Sequence, residues 1–363
     1  MPSITDYFKP HILKAKKYRP TVFMLAEREP GFIRMMANES NYGPSPKVIE
    51  AIKEHLNELN RYPDPGYLEL KEKIAQYANL KLENVLVGAG SFELIDMLYR
   101  GFIDPGDKVI LPTPIYSPYL SRLEIAQGEP ILIPMKEPDL DWDMDKIVES
   151  IDEKTKMAVF ISPNNPTGKV VSKDMIKPVL DTGIITVVDE AYYEYCRKTM
   201  AKYINEYENL IVLRTFSKAF GLSGLRIGYM LADEKVVDYL EHLELTFHIN
   251  RLAVIAAMAA LDNLEYLNKV VDETVREREK IFKELSKMPA LKPYPSNANF
   301  ILVKIVSDKY SAQYIQEQLK AKKILVRNYS NVPGLKGDYL RITVGRPKEN
   351  ERFLEELRKI LSE

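Results

Sequence analysis

Short apolar runs at residues 85–87, 109–111, 131–133, 157–161, 184–188 and 210–213 do not alternate with polar residues. A strand with one wet face would alternate, so these runs predict strands covered on both faces, as in a mainly parallel sheet. Helical segments lie between several of them, residues 93–102 among them. Strand–helix units repeated in this way fold as an α/β sandwich, with helices on both faces of the sheet. Upstream, Ser45-Pro46 suits a helix start, and Val48, Ile49, Ile52, Leu56 and Leu59 recur on one face of the predicted helix.

After about Asp233 the pattern changes. Helical periodicity runs to about Leu285 with a break near His248-Ile249-Asn250. Strands are then expected at 299–305, 324–327 and 339–344, with helices at 311–320 and 348–361. This predicts a second, smaller α+β domain, which a chain of 363 residues has the length to form. The division expected is an N-terminal arm with a small-domain segment over 1–40, a large domain over 41–240 and a small domain over 241–363.

Open α/β sheets bind ligands at the carboxyl ends of their strands, and the chemistry of this chain lies there. The run 210–213 leads into Thr215-Phe216-Ser217-Lys218-Ala219-Phe220-Gly221-Leu222-Ser223-Gly224-Leu225-Arg226-Ile227-Gly228. Hydroxyls and a guanidinium can hold a phosphate dianion, and the glycines allow close backbone approach. A lysine kept beside them can act as an amine nucleophile toward an aldehyde. Phosphate grip and Schiff-base lysine together specify pyridoxal phosphate. Ser-Lys alone would suit a solvated loop; the density of matched groups argues against that.

Gly88-Ala89-Gly90-Ser91-Phe92-Glu93 fails as a dinucleotide fingerprint because Glu93 stands where the third glycine belongs. Free amides at a helix start still favour a phosphate. Tyr116, in Pro112-Thr113-Pro114-Ile115-Tyr116, can stack on a flat heterocycle or simply be a surface tyrosine. Ser162-Pro163-Asn164-Asn165-Pro166-Thr167-Gly168 marks a turn. In Asp189-Glu190-Ala191-Tyr192-Tyr193 a carboxylate follows a strand. It can keep a pyridine nitrogen protonated, a pairing that should hold it ionised, or it can cap a helix. Arg327 and Arg341 lie at or within late strands, and the planar guanidinium suits phosphate or carboxylate. For Arg341 an exposed alternating position is the plainer alternative.

Taken in order, these motifs closely resemble the class I/II aminotransferases, the fold-type I pyridoxal phosphate enzymes. Their wording is nearest to the histidinol-phosphate aminotransferase branch. Arg61-Tyr62-Pro63-Asp64-Pro65-Gly66, Ala37-Asn38-Glu39-Ser40-Asn41-Tyr42-Gly43-Pro44 and Leu340-Arg341-Ile342-Thr343-Val344-Gly345 extend the match from about residue 36 to 352. The resemblance implies an α/β fold: a three-layer α/β/α large domain with a mainly parallel seven-stranded sheet, a smaller α+β domain, and a homodimer with shared active sites. It makes Lys218, Asp189, Tyr192 and Asn165 the catalytic set. Gly90, the amides of Ser91 and Phe92, Thr215, Ser217 and Arg226 would hold the cofactor phosphate, and Tyr116 would stack on the ring. Asp189 would meet the ring nitrogen, and Asn165 and Tyr192 the phenolic oxygen. Tyr62 would reach the neighbouring subunit's cofactor and substrate, while Arg327, Arg341 and Asn41 would bind substrate.

The implied partners are a small-molecule amino donor and a 2-oxo acid acceptor, L-histidinol phosphate and 2-oxoglutarate first. An aromatic amino-acid aminotransferase and an L-threonine-O-3-phosphate decarboxylase are alternatives on the same frame. A pyridoxal-binding regulator would carry an added DNA-binding domain, for which no basic segment exists. One departure is Pro10-His11 where relatives often carry Pro-Tyr, which bears on a substrate-phosphate contact.

Composition narrows the rest. A net charge of −1 gives no basic footprint for nucleic acid and no polybasic membrane patch. Cys196 is the only cysteine, so neither a disulfide framework nor a cysteine-based zinc site is expected. Asp139-Leu140-Asp141-Trp142-Asp143-Met144-Asp145 has Met144 where a calcium loop requires glycine, and no metal site is expected. No apolar stretch is long enough for a signal peptide or a membrane span, so the expected location is the cytoplasm.

Overall fold

The computed structural model describes residues 2–15 and 29–362. A short strand, β1 (Ile33–Met35), belongs to a smaller sheet. The larger sheet contains β2 (Val85–Gly88), β3 (Lys108–Thr113), β4 (Glu129–Pro134), β5 (Thr155–Ile161), β6 (Ile185–Asp189), β7 (Leu210–Thr215) and β8 (Gly228–Leu231). Its seven strands run in the order β2-β8-β7-β6-β5-β3-β4. From β7 to β4 every pairing is parallel, whereas β8 is antiparallel to both β7 and β2.

Successive strand residues point to opposite faces, and here both faces are covered. Val85, Val87, Ala158, Phe160, Val188, Leu210 and Val212 enter one core. Leu86, Met157, Val159, Ile161, Val187, Ile211 and Leu213 enter the other. Helices Leu68–Ala78, Lys173–Leu180 and Arg251–Leu261 close the first core, while Ser91–Phe102, Pro118–Ala126 and Glu234–Glu241 close the second. The non-alternating runs are therefore explained by two dry faces. The exception is edge strand β4, where Leu132 is 39% exposed.

The smaller sheet adds β9 (Leu291–Pro293), β10 (Phe300–Ile305), β11 (Ile324–Asn328) and β12 (Tyr339–Thr343), in the order β1-β11-β12-β10-β9. β1 pairs in parallel with β11 and buries Met35 in this second body. Helices Ala312–Ala321 and Pro347–Ser362 pack on it. Helix Leu264–Ser286 links the two bodies: Leu267 and Val271 enter a core of the large sheet, Ile281 and Leu285 that of the small one. Packing across position 240 is continuous on the large-sheet side. Residues 251–261 pack on helices Pro46–Glu54 and Leu68–Ala78 within the large body, because an apolar helix face does not record which sheet it will cover.

Helix Pro46–Glu54 starts as the sequence predicts, with the Ser45 hydroxyl accepting from the Val48 amide at 3.3 Å. It ends at Glu54, followed by a 3-10 turn at Leu56–Glu58. Of its apolar face only Val48 is buried, while Ile49, Leu56 and Leu59 are exposed. Among the described residues no helix is long and apolar enough to cross a membrane.

Candidate active site

The carboxyl ends of β3, β5, β6 and β7 converge with β1, β11 and β12 on a cavity of about 450 Å³. That volume suits a cofactor-sized ligand. Lys218, Asp189, Tyr192, Asn165, Tyr116, Ser91, Phe92, Thr215, Ser217, Arg226, Arg327 and Arg341 all line it.

One end is an anion cradle. Helix Ser91–Phe102 has no side-chain cap, and Ser91 and Phe92 at its start line the cavity, where free first-turn amides favour an anion. Its N-cap, Gly90, has φ +83°, and a Cβ there would lie 2.3 Å from the Arg226 guanidinium. Glycine at this position is what lets the arginine reach the helix start. Arg226 Nη1 donates to Ser217 Oγ at 3.1 Å and to the Ser223 carbonyl at 3.1 Å. Thr215 Oγ1 accepts from the Ser217 amide at 3.1 Å, which fixes the turn.

Lys218 lies between this cradle and the substrate side, with Nζ donating to the Ala37 carbonyl at 3.1 Å and lying 5.8 Å from the centre of the Tyr192 ring. Burial, then the Arg341 charge, bring its amine down to about 8. Asp189 ends β6, where Tyr119 donates to Oδ2 at 2.8 Å and the Ala191 amide to Oδ1 at 3.0 Å. Burial pushes its carboxyl up to about 6 in spite of both donors. The ionised state expected of Asp189 is therefore opposed by burial, and a cationic partner on the cavity side would restore it. Beside it, Glu190 and Arg214 form a buried ion pair at 3.0 Å that ties the ends of β6 and β7 together.

Polar groups on the opposite wall interlock. The Tyr192 hydroxyl accepts from Asn38 Nδ2 at 2.9 Å and Asn165 Nδ2 at 3.3 Å. Asn165 Oδ1 accepts from Arg341 at 2.6 Å and from the Tyr329 hydroxyl at 3.1 Å. Arg327 and Arg341 stand opposite each other in the β11–β12 register. Arg341 is 5% exposed, not at a wet alternating position, and its Nε is buried without a hydrogen-bond partner. The Arg327 side chain makes no hydrogen bond or ion pair among the described residues, although its backbone belongs to the β11–β12 ladder. Two cations with unmatched capacity can receive an anion.

Two expected site residues lie elsewhere. Asn41 donates to the Val344 carbonyl at 3.2 Å and does not line the cavity; three residues earlier, Asn38 does. Tyr62 is 76% exposed and stacked on Phe247, outside its own chain's cavity. His11 sits in the short helix Pro10–Lys14, also outside it.

Sequence reasoning missed Asn38, Tyr119 and Tyr329, and the Arg34–Glu39 pair at 3.0 Å that lines the same cavity. Tyr329 had a signal: it lies just past the end of β11, two residues beyond Arg327, where its amide still bonds the Tyr339 carbonyl and extended backbone keeps it on the Arg327 face. Tyr119 had one too, a helical turn beyond Tyr116.

The donor set fits pyridoxal phosphate: a phosphate cradle, an amine able to be neutral, and a carboxylate in need of a cation. Among the described residues no group of side chains is placed to hold a metal ion.

A family model described as aminotransferase class I and II matches residues 30–357. Histidinol-phosphate aminotransferase 1, chloroplastic, of Arabidopsis thaliana is 37% identical over 358 residues, covering 96% of this chain and 85% of that protein. The histidinol-phosphate aminotransferase of Methanocaldococcus jannaschii is 35% identical over 341 residues, covering 91% and 89%. A solved histidinol-phosphate aminotransferase from Sinorhizobium meliloti, in complex with pyridoxal-5'-phosphate, superposes with a TM-score of 0.87 at 24% identity over 98% of each chain. At that identity the likeness concerns the fold.

Proposed function

Because this chain belongs to the class I and II aminotransferase family, we propose that it is a pyridoxal phosphate-dependent histidinol-phosphate aminotransferase. It would transfer the amino group of L-histidinol phosphate to 2-oxoglutarate, giving imidazole-acetol phosphate and glutamate. The observation that carries the reading is the buried Lys218 amine, held near 8 between an anion cradle and the Arg327–Arg341 pair. The identity of the relatives supports the choice of donor.

When bound, the cofactor supplies an aldehyde for the amino group and a ring that draws electrons from the substrate's Cα. Ser91, Phe92, Thr215, Ser217 and Arg226 would hold its phosphate, and Tyr116 would flank its ring. Asp189 would hold a proton at the ring nitrogen, while Asn165 and Tyr192 would donate toward the phenolic oxygen. Lys218 Nζ is the general base that takes the Cα proton, and its lowered basicity leaves much of it neutral near pH 8. Arg327 and Arg341 hold the donor's phosphate in one half of the cycle and a glutamate carboxylate in the other.

A homodimer accompanies this reading. Leu56, Leu59 and Tyr62 are exposed within one short segment, and Tyr62 stacks on Phe247 outside its own chain's cavity, which supports a partner surface at that segment. Tyr62 would then complete the neighbour's site.

The test is nitrogen transfer. Histidinol phosphate labelled with nitrogen-15 at its amino group is expected to yield labelled glutamate from 2-oxoglutarate without carbon dioxide release. Label retained in the donor would overturn the reading.

A further inference from the structure

Tyr116 and Tyr119 lie one helical turn apart where β3 gives way to helix Pro118–Ala126, and the Tyr119 amide bonds the Tyr116 carbonyl at 3.1 Å. The turn brings Tyr116 to the cavity wall and buries Tyr119, 1% exposed, against the end of β6. There the Tyr119 hydroxyl donates to Asp189 Oδ2 at 2.8 Å from the side away from the cavity lining. We propose that Tyr119 is a positioning residue for transamination: its hydroxyl fixes the Asp189 carboxylate and keeps the proton shared with the cofactor's ring nitrogen on that nitrogen. The proposal rests on the pyridoxal phosphate reading above.

A buried carboxylate becomes more basic, and each donated hydrogen bond opposes that change. Among the described residues Asp189 has two such donors, and of these Tyr119 reaches Oδ2. The other charged groups that act on it work against each other: Glu190 raises its proton affinity and Lys218 lowers it. Tyr119 cannot drift out of its role, because burial and the facing Asp189 charge hold its own proton affinity well above the ordinary phenol range. It remains a donor at every working pH. A more basic Asp189 would pull the shared proton toward oxygen, and a ring nitrogen without its proton withdraws electrons less strongly. Tyr119 therefore acts on the chemistry through Asp189 while touching no substrate.

The experiment uses holoenzyme carrying cofactor labelled with nitrogen-15 in the ring, observed by NMR. In Tyr119→Phe the ring-nitrogen resonance is expected to move toward the unprotonated pyridine position. kcat should fall on the order of tenfold while KM for the amino donor changes by less than about twofold, as expected for loss of a hydrogen bond to a charged group. An unmoved resonance in the loaded variant overturns the proposal, whatever happens to kcat. 3-Fluorotyrosine at position 119, a stronger donor of nearly the same size, keeps the test open if the phenylalanine variant fails to fold. Its resonance is expected at or beyond the wild-type position on the protonated side, and a shift toward unprotonated pyridine overturns the proposal. A wild-type chain that takes up no cofactor would refute the pyridoxal phosphate reading itself, an outcome distinct from a loaded chain whose resonance does not respond.

Discussion

Gly90→Ala is expected to weaken cofactor phosphate binding by displacing one guanidinium. The new Cβ would lie 2.3 Å from Arg226 Nη2 and 3.0 Å from Cζ, so the group must retreat by roughly 1 Å to reach ordinary van der Waals distance. Arg226 is itself held by Ser217 Oγ and the Ser223 carbonyl, each at 3.1 Å, and the retreat disrupts that geometry. Losing one charge-assisted bond to the phosphate costs about 1.5–3 kcal/mol, which raises Kd roughly 10- to 100-fold. Backbone strain adds to this, because φ +83° at Gly90 is disfavoured for alanine. Gly183→Ala separates the two effects: Gly183 has the same φ of +83° with nothing within 4 Å of its Cβ. Equilibrium dialysis of the apoenzyme would give Kd for pyridoxal phosphate and for pyridoxal, which lacks the phosphate. Gly90→Ala should weaken the first far more than the second, and Gly183→Ala neither. Equal losses for the two ligands, or a Gly90→Ala Kd within about threefold of wild type, would refute the proposed cradle.

Three further outcomes are expected. Burial and the Arg341 charge hold the Lys218 amine at about 8, so the rate of apoenzyme reaction with pyridoxal phosphate should rise with pH through that value and then level. In stopped-flow traces Arg341→Met should move the midpoint upward, and a lower midpoint would contradict the assigned cause. Asp189→Asn should cut kcat by several powers of ten while cofactor Kd, measured by dialysis, changes far less; near-normal kcat would remove its role at the ring nitrogen. Co-expressed Lys218→Ala and Tyr62→Phe chains should form mixed dimers with one intact site and recover activity above either parent, provided Tyr62→Phe alone is impaired. Activity at the parents' average would place Tyr62 in its own subunit's site.

What the sequence made legible was local. Asp189 ends β6, Asn165 and Lys218 sit in the loops after β5 and β7, and Arg226 lies in the loop between β7 and β8, so strand order alone delivers them to one edge of the sheet. β8 escaped notice because Gly228–Leu231 follows the glycine-rich loop without a separate turn signal. Tyr119 and Tyr329 act through partners 70 and 164 residues away, and no periodicity encodes such pairings. Asn41 was favoured over Asn38 within one motif, although Asn38, at φ +54°, is the residue that turns into the cavity and meets Tyr192. Ile49, Leu56 and Leu59 show a related limit: an apolar face marks burial without saying whether the same chain supplies it.

The most direct measurement is a comparison of kcat/KM for histidinol phosphate, phenylalanine, tyrosine and threonine phosphate as donors to 2-oxoglutarate, with carbon dioxide release monitored. Histidinol phosphate is expected to exceed each of the others by at least about tenfold, since a correctly filled anion and ring site differs from a misfit by more than 1.4 kcal/mol, and no carbon dioxide should appear. Preference for phenylalanine or tyrosine, or carbon dioxide from threonine phosphate without amino transfer, would contradict the account.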